Sequence, residues 1–155
     1  MLKYCLRKWD ENKIKLEEAL KNDGSLNSCD YLYLLKITVE TIFNTGNEYS
    51  SEDWDIEKIT QIDNGDYQGT LLFLIPSKTY QPSESAYLMT FVGYGSCSGC
   101  DTLLNIQSWH YEGLPTEQQL KDYMTLCRDM VCNIIKPYNS GWRNNEDFEQ
   151  IEWED

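Results

Sequence analysis

Apolar positions recur at helical spacing in two long stretches and cluster into short runs in the middle of the chain. Residues 11–22, Glu11-Asn12-Lys13-Ile14-Lys15-Leu16-Glu17-Glu18-Ala19-Leu20-Lys21-Asn22, are rich in helix formers and stop at Asp23-Gly24, which predicts a short helix. A second helix is predicted from Cys29 to Asn44, capped by Asn27 or Ser28, with Leu32, Leu35, Val39, Ile42 and Phe43 in one stripe. Leu34 and Ile37 widen that stripe, which points to a central place in the core. The longest helical pattern follows Thr116. Leu120, Tyr123, Met124, Cys127, Val131, Ile134 and Ile135 form its stripe, Gln119 completes a capping box with Thr116, and Lys136-Pro137 stops it.

Between these helices lie three strand patterns. Ile56 to Ile62 alternates weakly. Asp63-Asn64-Gly65-Asp66 is a turn signal, because Asn and Gly accept positive φ, and it leads into Tyr67 to Ile75, an apolar run closed by Pro76. Ala86 to Tyr94 is the third strand, and Asp101 to Gln107 begins a short helix. The order predicts one α+β domain, residues 1–141, in which a small antiparallel sheet of about three strands packs against helices. Residues 142–155 form an acidic tail. It carries Trp142, Phe148, Ile151 and Trp153, too many large apolar groups for a purely solvating segment, so part of it is expected to pack.

Charge sharpens this picture. The chain has 26 acidic against 13 basic residues, a net charge of -13. Residues 46–66 contribute Glu48, Glu52, Asp53, Asp55, Glu57, Asp63 and Asp66 against Lys58 alone. The tail contributes Glu146, Asp147, Glu149, Glu152, Glu154 and Asp155 against Arg143 alone. Such a field repels nucleic acid and anionic membranes and attracts basic surfaces, including the nucleic-acid channels of other proteins. The bland alternative is an acidic surface that only maintains solubility.

No apolar run approaches the length of a membrane helix, and Met1-Leu2-Lys3-Tyr4-Cys5 lacks the apolar region of a secretory signal, so a soluble cytoplasmic protein is expected. In that compartment the six cysteines are expected to be reduced, with Cys127 and Cys132 as small buried residues of the last helix.

The most compact chemistry is Tyr94-Gly95-Ser96-Cys97-Ser98-Gly99-Cys100-Asp101. Two thiols at this spacing are able to face one zinc ion, exchange a disulfide, or turn a corner in which glycines allow a tight backbone and the thiols pack beneath it. Zinc at Cys97 and Cys100 needs two further ligands, and Cys5, Cys29, His110, Cys127 and Cys132 are not paired at a recognised spacing. Asp101 next to the pair opposes thiolate formation, and no thioredoxin-like strand-helix-strand unit precedes it. Asp63, Asp66, Gln68 and Asp101 would form a hard-cation site if the hairpin brought them together. The sequence has no phosphate-binding glycine loop, dinucleotide fingerprint or zinc-protease motif, and His110 is its only histidine.

Asp66-Tyr67-Gln68-Gly69 followed by Tyr94 to Asp101 resembles a group of small, functionally unassigned proteins of phages and mobile elements, over residues 63–107. The resemblance implies a counter-defence setting, in which small acidic proteins of the anti-CRISPR or anti-restriction type act by stoichiometric binding. The leading expectation is therefore a non-enzymatic protein without a cofactor. Its acidic residues would occupy the basic surface of a CRISPR or restriction nuclease, without touching nucleic acid or membrane. The alternative is a small zinc-binding or thiol-active domain centred on Cys97 and Cys100.

Overall fold

The computed structural model describes residues 1–50, 52–108 and 110–137, and the predicted acidic tail lies outside them. Helix α1 spans Leu2–Lys21 and begins well before Glu11. Cys5 and Trp9, four residues apart, extend the buried stripe of Leu16 and Leu20 toward the N-terminus. The many charges between them had concealed this continuity. Leu26–Ser28 then forms a single 3-10 turn, so Asn27 and Ser28 do not cap the second helix. Asp30 does, its carboxylate accepting the Tyr33 amide at 2.8 Å, and α2 runs Tyr31–Ile42 with Leu34, Leu35, Thr38, Val39 and Ile42 buried.

The sheet is a three-stranded antiparallel meander, β1 Thr60–Asp63, β2 Gly69–Pro76 and β3 Tyr87–Tyr94, in that order across the sheet. Ile56–Lys58, expected to begin the first strand, is a 3-10 turn started by the Asp55 side chain. Nor does the hairpin connection use positive φ at Asn64 or Gly65; among the described residues only Gly46 and Gly113 adopt it. Instead Asn64 accepts the Thr70 amide through its side chain at 2.7 Å, and Gly65 is needed because the Gln68 carbonyl occupies the space a Cβ would take.

Leu71, Phe73 and Ile75 of β2 and Leu88 and Thr90 of β3 form the buried face, whose apolar members join one hydrophobic cluster with residues of α1, α2 and the two helices after the sheet. Burial of each large side chain in that cluster stabilises the fold by about 1.5–3 kcal/mol. Thr90 belongs on the buried face because its hydroxyl donates to the Met130 carbonyl at 2.6 Å.

Helix α3, Thr102–Gln107, and α4, Glu117–Cys132, complete an α+β domain with four helices and one sheet among the described residues. The capping box of α4 is present in both directions, Thr116 with Gln119. Gln119 also bonds Asn27 and the Ile106 and His110 carbonyls, so one polar side chain ties α4 to α3 and to two connecting segments. Helix α4 ends at Cys132, short of the predicted stop. Ile135 leaves the helix and pairs with Met89 of β3, the two residues exchanging N–H···O bonds of 2.8 Å. Cys127 is buried as expected, and Cys132 is half-buried.

Candidate functional site

The corner between β3 and α3 is built around Asp101. Its carboxylate caps α3 by accepting the Leu104 amide at 2.9 Å, accepts the Gly95 amide at 3.0 Å, and accepts the Tyr31 hydroxyl at 2.9 Å. The same hydroxyl takes the Leu103 amide at 3.1 Å. Asp101 and Tyr31 are both buried, so these bonds are made away from bulk water, where leaving any of them unmade is costly. The aspartate is thus turned into the protein. It is part of the frame and not a free charge facing the thiols.

On the outside of this frame sit Cys97 and Cys100. Both are exposed, which corrects the expectation that the thiols pack beneath the turn. The corner itself closes only over glycine, because a Cβ on the buried Gly95 would lie 2.5 Å from Cys100 Sγ and 2.6 Å from its carbonyl oxygen. The turn is held by the Cys100 and Asp101 amides, each donating to the Cys97 carbonyl at 3.0 Å. It brings the two sulfurs to 2.7 Å, against the roughly 2.05 Å of a disulfide bond. Cys100 Sγ also receives the Cys97 amide at 3.2 Å. The Cys97 thiol first, and the backbone amides of Cys97 and Ser96 after it, hold the Cys100 thiol below the ordinary range. Burial does the opposite elsewhere and pushes the thiols of Cys5, Cys29 and Cys127 up to about 12. Cys100 thus stands apart from Cys5, Cys29, Cys127 and Cys132, whose thiols burial pushes the other way.

A metal reading finds two ligands here. Among the described residues no group of three or more His, Cys, Asp or Glu side chains is placed to hold an ion. The proposed carboxylate convergence does not form, because Asp101 is consumed inside the corner. Asp63 accepts the Tyr94 hydroxyl at 2.7 Å and the Gly65 amide at 3.0 Å, which hold its carboxyl below the usual range, while Asp66 is exposed beyond it.

The acidic residues of 46–66 fall into separate places. Glu48, Glu52, Asp55 and Glu57 lie on the segment that passes the end of β2, where Trp54 pairs with Ser77 and the Asp55 amide donates to the Pro76 carbonyl. Asp63 and Asp66 lie at the opposite end of the hairpin. Two of the first group have cations nearby, Glu57 with Lys36 at 3.5 Å and Asp55 with Lys58 at 3.7 Å. Asp53 is a correction. It has no exposed surface, and its carboxylate accepts the Thr45 amide at 2.8 Å and hydroxyl at 3.1 Å, pinning the end of the α2 loop. Glu146, Asp147, Glu149, Glu152 and Glu154 lie outside the described residues.

Sequence spacing alone picks out Cys97 and Cys100, but nothing in it announces Tyr31, seventy positions away from Asp101. No helix among the described residues is long and apolar enough to cross a membrane. Comparison of the chain with family models, with curated proteins and with solved structures gives no match.

Proposed function

We propose that the chain is a thiol-active domain in which Cys97 and Cys100 cycle between dithiol and disulfide by exchange with a disulfide-bearing partner. The observation that carries this reading is the 2.7 Å separation of two exposed sulfurs on a buried, hydrogen-bonded frame. Cys100, with its lowered proton affinity, is the attacking group. Its thiolate forms a bond to one sulfur of the partner disulfide and the other partner sulfur leaves as a thiolate, which takes a proton from water. Cys97 then gives up its proton and attacks Cys100 Sγ, which expels the second partner thiolate. The pair is oxidised by two electrons and the partner disulfide is reduced to two thiols.

Equilibration of the full chain with graded oxidised and reduced glutathione, followed by peptide mass spectrometry, tests this. A reversible loss of two hydrogens confined to the Cys97–Cys100 peptide is expected. A pair that stays reduced throughout, or that is purified anaerobically with stoichiometric zinc, overturns it.

A second reading follows from Glu48, Glu52 and Glu57, which are exposed on the segment between α2 and β1 that also carries the half-buried Asp55. In this reading the carboxylates occupy a basic protein surface, such as the nucleic-acid channel of a CRISPR or restriction nuclease, and so inhibit it. Binding should weaken with salt and with the triple change E48Q, E52Q and E57Q. Salt-independent inhibition by the triple variant removes the electrostatic version.

A further inference from the structure

The sheet has a second face, and it is apolar. Paired residues of adjacent antiparallel strands point to the same side, so the registers Ile62 to Leu72 to Phe91 and Leu74 to Met89 to Ile135 form two cross-strand rows. These rows lie opposite the buried Leu71, Phe73 and Ile75. Ile62, Phe91 and Ile135 keep 46%, 41% and 45% of their surface exposed, and the neighbouring Thr60 and Thr70 are uncharged. An antiparallel sheet of this kind ordinarily shows polar residues to water. Contiguous apolar surface on such a face marks a place where something docks.

We infer that the occupant is the C-terminal segment of the same chain, residues 138–155. Three observations single it out. The segment starts one residue after Pro137, and two residues before Pro137 the chain is hydrogen-bonded to β3 at Met89, inside one of the two rows. Crossing three strands at about 4.8 Å each needs only a fraction of the reach of a segment this long, at about 3.3 Å per residue. Finally, Trp142, Phe148, Ile151 and Trp153 supply apolar surface, while the acids between them are free to remain in water over a face whose two rows carry no charge.

The test is hydroxyl-radical labelling of the full chain, read by mass spectrometry at Ile62, Met89 and Phe91. It is run on the wild type and on the variant carrying W142S, F148S, I151S and W153S, with sedimentation of each. The inference expects a monomer in which these three side chains are protected, and labelling that rises about threefold or more in the variant as apolar cover is lost. Circular dichroism of the helices serves as the control for folding. Strong labelling already in the wild type overturns it, as does equal protection in both chains. So does protection that appears only with dimer formation, which would make a second copy the occupant.

Discussion

The Tyr31 hydroxyl donates to Asp101 Oδ1 at 2.9 Å across seventy residues of sequence, and so joins the first turn of α2 to the cap of α3 beneath the thiol pair. Y31F removes that donor and also the acceptor of the Leu103 amide. Both groups are buried, so the loss should be about 1–3 kcal/mol of unfolding free energy. Urea unfolding monitored by circular dichroism checks it, and a change below about 0.5 kcal/mol would show that water replaces the hydroxyl.

Alkylation kinetics should separate the cysteines. At neutral pH iodoacetamide is expected to modify Cys100 well before Cys5, Cys29 or Cys127, whose thiols are pushed up to about 12 by burial. The sign of the pH dependence follows from the donors. Because Cys97 stabilises the Cys100 thiolate, its rate should rise at a pH below that of an ordinary thiol, and C97A should move the inflection upward. Mass mapping of alkylated peptides across pH measures both, and an inflection unmoved by C97A would show that the backbone amides alone are responsible.

Gly95 is the residue that allows the corner to close. G95A places a methyl group where Cys100 Sγ and its carbonyl now lie, so the turn must open, at a cost of about 1–3 kcal/mol. The sulfurs should separate and disulfide formation by a diamide oxidant should slow. Unaltered stability together with unaltered oxidation would show that the corner absorbs the methyl group elsewhere.

Asp53 and Glu52 are neighbours with opposite expected behaviour. D53A strips the Thr45 amide and hydroxyl of their acceptor and should destabilise by about 1–3 kcal/mol. E52Q, on the surface, should stay within about 0.5 kcal/mol. Thermal unfolding of the two variants distinguishes a folded-frame carboxylate from a surface one.

Local signals in the sequence were legible where a single stretch decides the outcome. The Thr116–Gln119 capping box, the apolar stripe of α4 and the runs that become β2 and β3 all depend on nearby residues, and the α+β architecture follows from their order. The start of α1 was not legible, because charged residues outnumber the buried Cys5 and Trp9 that define its stripe. The buried roles of Asp53, counted with the acidic surface, and of Asp101, placed beside the thiols and in a cation site, were hidden for a related reason. A carboxylate inside a fold is recognisable only by its partners, and Thr45, Gly95 and Tyr31 reach those positions through the tertiary structure. The thiol pair itself was visible at once, whereas its exposure and the close approach of Gly95 to Cys100 belong to the tertiary structure, which spacing does not express.

The short turn that brings Cys97 and Cys100 together has a further thermodynamic consequence. Two groups already held in position react with an effective molarity far above any concentration of a free monothiol. Once joined, such a pair re-forms faster than a small thiol is able to trap the opened sulfur. In the proposed exchange, a partner able to reopen the pair efficiently would itself present two thiols.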